Sequence, residues 1–177
     1  MRKISSMAAM ILAVVALAMW PSATHAQGGF ELVSGKAFDS AVPKDFYLEG
    51  NAIPTQKRNA ALVKTPAGAR VLFALIDTTG YSSQIQQKYE GMIISEAKVA
   101  VCGVALGVGS YGFGFTKPAA TSAEAAKFFV YNQAGGKVGE CTMTKDAELK
   151  QPVPLHVVAA KGGPAKLYLG KNWLEVK

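Results

Sequence analysis

The chain has 177 residues, with 19 Lys and Arg against 12 Asp and Glu, a formal charge of +7, two Cys and two His. Half of its residues are hydrophobic, which excludes a disordered chain, and the 18 Gly and 8 Pro are too scattered for a collagen-like repeat. A globular domain remains.

The first 26 residues fall into three parts. Arg2 and Lys3 open with positive charge, Met7 to Trp20 is uncharged and apolar, and Pro21 to Ala26 closes with small residues. The apolar run is short of the ~20 residues that cross a membrane, and it leads into the cleavage-like Thr24-His25-Ala26. Residues 1–26 therefore read as a secretory signal peptide, with an uncleaved anchor as the alternative. No Cys follows the run to carry a lipid, and no later segment predicts a stable membrane span. The expected location is exported, periplasmic or secreted.

Cleavage would leave 151 residues, with 17 Lys and Arg against 12 Asp and Glu. A single domain of that size buries about 70% of its unfolded surface. Residues 27–43 read as a loose leader, and 44–177 as one mainly β domain. Cys102 and Cys141, 39 residues apart, are an even pair, and in an oxidising compartment they predict a disulfide.

From Lys44 onward, short apolar runs alternate with turn residues, as in antiparallel β proteins. Phe46 to Glu49 predicts a strand broken at Gly50-Asn51, and Ala60 to Lys64 another, closed by Thr65-Pro66-Ala67-Gly68. Arg70 to Ile76 (RVLFALI) is apolar at both parities, so it predicts a central strand covered on both faces. Ser82 to Tyr89 predicts a short helix capped by its serine. Met92 to Ser95 and Lys98 to Val108 read as a hairpin. In its second strand Cys102, Val104, Leu106 and Val108 share one face, and Gly103, Ala105, Gly107 and Gly109 line the other. A glycine-lined face implies close approach by a helix, aromatic rings or a ligand. Tyr111, Phe113 and Phe115 alternate with Gly112 and Gly114, continuing as a strand.

Thr121 to Glu124 fits a capping box that starts a short helix, and Phe128 to Tyr131 predicts a strand. A turn at Gln133–Gly136 leads back along Lys137 to Thr144. Leu155–Ala160, Lys166–Gly170 and Asn172–Val176 complete a count of eight or nine strands. The expected fold is mainly β: an antiparallel β-sandwich or partly open barrel with one or two short helices. A single-sheet α+β layer is the alternative.

Motifs that suggest chemistry are sparse. Gly107 to Gly112 matches GxGxxG, but Phe113-Gly114-Phe115 is no helix start for a pyrophosphate to meet. Asp77-Thr78-Thr79-Gly80 resembles an aspartic protease loop with one residue too many and no second copy; an Asx turn explains it more simply. His156, the one histidine past Ala26, stands alone among apolar neighbours. No catalytic residue, metal site or cofactor is therefore assigned.

The segment 50–59 concentrates amides and a basic pair between two strands. Asn51, Gln56, Lys57, Arg58 and Asn59, with Tyr111, are the candidate binding residues for a sugar, carboxylate or phosphate. Basic residues are otherwise dispersed, which argues against nucleic acid and favours contact with an anionic envelope component, lipid or polysaccharide. The expected function is an exported, non-enzymatic binding or interaction module of the cell envelope or extracellular space, with an unidentified ligand or protein partner. In that reading the 50–59 loop and the Tyr111/Phe113/Phe115 strand are presented to the partner. The alternative is a small exported hydrolase using paired carboxylates.

Overall fold

A computed structural model describes residues 29–118, 124–160 and 162–177. The signal segment 1–26 and residues 121–123 of the capping box lie outside them. The chain begins with β1 (Glu31–Val33), α1 (Lys36–Ala41), β2 (Asp45–Leu48), β3 (Asn51–Lys64) and β4 (Arg70–Ile76). It continues through α2 (Ser83–Lys88), β5 (Gly91–Ser95), β6 (Val99–Val101), β7 (Val104–Leu106) and β8 (Gly109–Phe115). Then come β9 (Lys127–Asn132), β10 (Lys137–Thr142), β11 (Thr144–Lys145), β12 (Val153–Ala159), β13 (Ala165–Gly170) and β14 (Asn172–Val176).

Two antiparallel sheets result, and neither closes into a barrel. The larger runs β1-β3-β4-β5-β8-β9-β10 with β2 paired to the start of β3; the smaller runs β12-β13-β14-β6-β7 with β11 on β14. The mainly β, sandwich-like expectation holds, and the single-sheet alternative does not.

The two-faced pattern of β4 explains the layering. Val71 and Phe73 point into the space between the sheets, where Ile93, Phe113, Leu167, Leu169 and Leu174 meet them. Leu72, Ala74 and Ile76 point the other way, onto Phe46, Leu48, Ile53, Ile85 and Tyr89. That second core is roofed by the β2–β3 hairpin, by α1 through Phe38 and Ala41, and by α2. Ser82 caps α2 as expected, its hydroxyl accepting from the Ile85 N–H.

Several expectations fail for one shared reason: strand partners are chosen by distant parts of the chain. Residues 98–108 are not one strand hairpinned to 92–95. β5 pairs with β4 and β8, whereas β6 and β7 pair with each other in the other sheet. Glu96-Ala97-Lys98 carries the chain between sheets, and Cys102-Gly103 makes a tight turn with φ of 54° and 78°. Two consecutive positive φ values match the twist of a two-residue hairpin. Cys102 thus sits at a hairpin tip rather than on a face with Leu106 and Val108.

The close approach expected of a glycine face falls instead at Gly112 and Gly114. A Cβ there would lie 2.7 Å from the Tyr89 ring and 2.2 Å from the Lys88 carbonyl oxygen, respectively. The end of α2 rests on β8, and only glycine admits it. Gly103 has nothing within 4 Å of that position.

The leader also folds from Phe30 onward. Phe30 is buried in the inter-sheet core, and β1 pairs with residues 62–64 of β3, whose edge would otherwise be open. Residues 124–126 are not helical and run directly into β9. The second short helix is therefore α1. The fourteen strands among the described residues exceed the expected eight or nine, because several are only two to four residues long.

Candidate ligand cleft at the end of the sandwich

The segment 50–59 is not a loop. After the turn residue Gly50 it is the first part of β3, which pairs with β2 over Asn51–Pro54 and with β4 at Thr55 and Gln56. Residues 57–59 then bulge out before pairing resumes at Ala60 opposite Ala74. The amides expected to bind a ligand are used within the chain. Asn51 Nδ2 donates to the Glu49 carbonyl, 3.0 Å; Asn59 Nδ2 donates to Gln56 Oε1, 2.8 Å; and Gln56 Nε2 donates to the Ile76 carbonyl, 3.1 Å. They close a turn and satisfy a bulge. Lys57 pairs with Asp39 of α1 at 2.8 Å, and Arg58 is exposed.

Tyr111 does not join them. It packs against the inter-sheet core, and its hydroxyl accepts from the Gly107 N–H at 3.1 Å. It stands level with Ala61 across β5 and β4, three strand spacings or ~14 Å from β3. Phe113 is fully buried, so this strand cannot present all three rings to a partner. Asp77 makes the Asx turn, accepting from the Thr79 N–H at 3.0 Å. Gly107–Gly112 leads into β8, which leaves no helix N-terminus for a pyrophosphate.

A polar cluster that sequence reasoning missed joins three turns. Glu49 Oε1 accepts from Lys88 Nζ at 2.5 Å and from the Tyr89 hydroxyl at 2.7 Å, while Lys88 also donates to the Gly135 carbonyl at 2.7 Å. Lys88 Nζ lies 5.1 and 5.0 Å from the Tyr89 and Tyr131 ring centres. The Lys88 bond, then the Tyr89 bond, holds the Glu49 carboxyl below the usual range. Burial first, then the bond to Glu49, raises the Tyr89 phenol. The arrangement clamps the β2–β3, α2–β5 and β9–β10 connections.

A depressed carboxyl stabilises the fold above its unfolded pKa, and that contribution is lost as pH falls through the folded value. Glu49→Gln is therefore expected to lower stability near neutrality and to flatten the loss on acidification. Urea midpoints of both proteins across the acid range check this. Parallel pH curves would mean that the cluster contributes no proton-linked stability.

A cleft with an apolar wall and a polar lip opens between residues of the two sheets. Leu75 of β4, Phe115 of β8 and Leu169 of β13 all belong to the inter-sheet core, and they run out into a cleft of about 460 Å³. Pro152, Val153 and Pro154 form the opposite wall, and Thr116, Asn172, Glu90 and Lys117 the polar margin. Lys117 Nζ bonds Glu90 Oε1 at 2.6 Å and lies 5.3 Å from the Phe115 ring centre. Lys117 is the more exposed partner, its side chain 63% accessible against 34% for Glu90. An exposed pair of this kind is worth little to stability, so an incoming anion can displace Glu90 at small cost.

The cleft was hidden in the sequence because its walls come from strand ends far apart in the chain. The one local signal was the Pro152/Pro154 pair. Prolines fill the rim of a slot without adding backbone donors. No protein-family model, curated protein or solved structure matches the chain. Among the described residues, no helix is long and apolar enough to cross a membrane, and no group of three or more His, Cys, Asp or Glu is placed to hold a metal.

Proposed function

We propose that this protein is an exported, non-enzymatic binding module. Its end cleft takes a small ligand with an apolar body and an anionic head, the body between Leu75, Phe115 and Pro154 and the head at Lys117. The observation that carries this reading is the cleft itself, an outward continuation of the inter-sheet core with one exchangeable cation on its lip. The Cys102–Cys141 disulfide supports an oxidising, extracytoplasmic setting.

A hydrolase with paired carboxylates needs one carboxyl raised to hold a proton. The displaced carboxyls, Glu49, Asp77, Glu96 and Glu140, are all lowered, each by a hydrogen-bond donor: Lys88, Thr79, Arg70 and Lys137, respectively. That favours binding over catalysis.

The test is titration with a fluorescent medium-chain fatty acid. Saturable binding is expected. Val153→Trp, which fills the slot, should abolish it, and Lys117→Glu should weaken it about tenfold, near 1.4 kcal/mol. No saturable binding, or unchanged affinity in Val153→Trp, would overturn the reading.

A further inference from the structure

The small sheet turns Leu167, Leu169 and Leu174 inward, and its other face is open to solvent. On that face Tyr168 stands opposite His156 of β12 on one side and Trp173 of β14 on the other. Three ring side chains thus occupy one row across three adjacent strands. His156 is exposed, and Tyr168 and Trp173 are half-buried. The outer face of an antiparallel sheet is ordinarily polar, so a contiguous ring row there calls for an explanation, unlike a lone exposed Val.

The surroundings of the row are polar and partly cationic. Tyr168 donates to Asp146 Oδ2 at 3.2 Å, which fixes the ring, and the backbone N–H groups of Glu148 and Leu149 hold Asp146 in turn. The Lys166 ammonium lies 3.9 Å from the Trp173 ring centre and, among the described residues, has no carboxylate partner. Glu175, its neighbour across β14, is already paired with Lys177 at 2.5 Å. Trp173 also lines a groove of about 340 Å³, together with Gly103, Thr142, Thr144 and the paired Glu175 and Lys177.

We propose that this face binds an acidic oligosaccharide. Pyranose rings would lie on the aromatic row, with a sugar carboxylate on Lys166. The His156 and Tyr168 ring centres lie 6.5 Å apart with their planes at 44°, wider than the ~4.8 Å between their strands, so successive sugars of an extended glycan would meet the rings as a stepped row. The apolar C–H faces of the sugars match the ring faces, and their hydroxyls match Thr144 and the His156 and Trp173 N–H groups. Lys166 now lies over Trp173 and would give up that contact for a full ion pair, which supplies the charge complementarity. Protein interfaces also concentrate Tyr and Trp but deplete Lys, Glu and Asp at their centre, whereas here Lys166, Asp146 and Glu175 stand among the rings.

The test uses the oxidised protein and two probes of equal length, a hyaluronan hexasaccharide and neutral cellohexaose. Trp173 is the only tryptophan beyond Trp20, so its emission reports binding directly. The acidic hexasaccharide is expected to shift that emission and to bind at least about tenfold more tightly than cellohexaose, measured by calorimetry. Tyr168→Ala and Trp173→Ala should each lose about tenfold in affinity, and Tyr168→Phe, which keeps the ring, should retain binding. Lys166→Gln should erase the preference for the acidic probe. The proposal is overturned by no binding of the acidic probe, by equal affinity for cellohexaose, or by unchanged affinity in Trp173→Ala. Val153→Trp should leave saccharide binding intact; its loss there would place the sugar in the end cleft and overturn the proposal. Failure of fatty-acid binding leaves this result untouched.

Discussion

Replacing Cys102 and Cys141 together by serine is expected to cost up to about 4 kcal/mol of stability, the chain-entropy value for a 39-residue loop. The bond joins the tip of the β6–β7 hairpin to β10, edge to edge between the two sheets, with the Cα atoms 6.0 Å apart. The hairpin's ladder contact with β14 is the Val101–Val176 pair, with backbone bonds from Ala100 to Lys177 and from Cys102 to Glu175. Val99, Val101 and Leu106 are buried under it, so its release would also expose core. Urea unfolding of the oxidised and double-serine proteins measures the loss, and hydrogen exchange should show β6 and β7 opening first. A loss below about 1 kcal/mol would mean that packing alone holds the hairpin and that the unfolded chain gains little from the cross-link.

Phe113→Ala is expected to cost about 3–5 kcal/mol, the range for removing a buried aromatic ring. Phe113 is fully buried, and its ring centre lies 5.3 Å from that of Phe128. It also covers Gly91, its cross-strand partner, so closely that a Cβ there would fall 2.3 Å from the ring. Its neighbouring strands β5 and β9 are tied to β8 by ladder bonds and do not close over the space. The cost should therefore sit toward the upper end. Phe115→Ala, half-buried at the cleft, should cost less and weaken ligand binding instead. Calorimetric unfolding beside fatty-acid titration separates the two effects. Unchanged stability with lost binding in Phe113→Ala would move that ring from the core to the site.

What the sequence determined by itself was local. RVLFALI, apolar at both parities and bounded by turn residues, reads as a strand covered on both sides, and Arg70–Ile76 is that strand, with a core cluster on each face. Ser82 before a stretch without β-branched runs made α2, and the turn residues at 133–136 closed a hairpin. These signals depend on a few neighbouring residues and survive any choice of partner.

The tertiary structure decided which strand pairs with which. Alternation fixes the two faces of a strand but not its sheet, so Lys98–Val108 read as one strand when a turn and a change of sheet lay inside it. Amides at 51–59 resembled a binding loop because nothing local shows that a bulge in a long strand will consume them. The glycines of β8 announced a close neighbour, and only the packing of α2 identified it as Tyr89 and Lys88. The end cleft and the His156–Tyr168–Trp173 row are made by residues brought together across strands. Their chemistry arises from register, which is set by the burial of the whole sheet rather than by any segment of the chain.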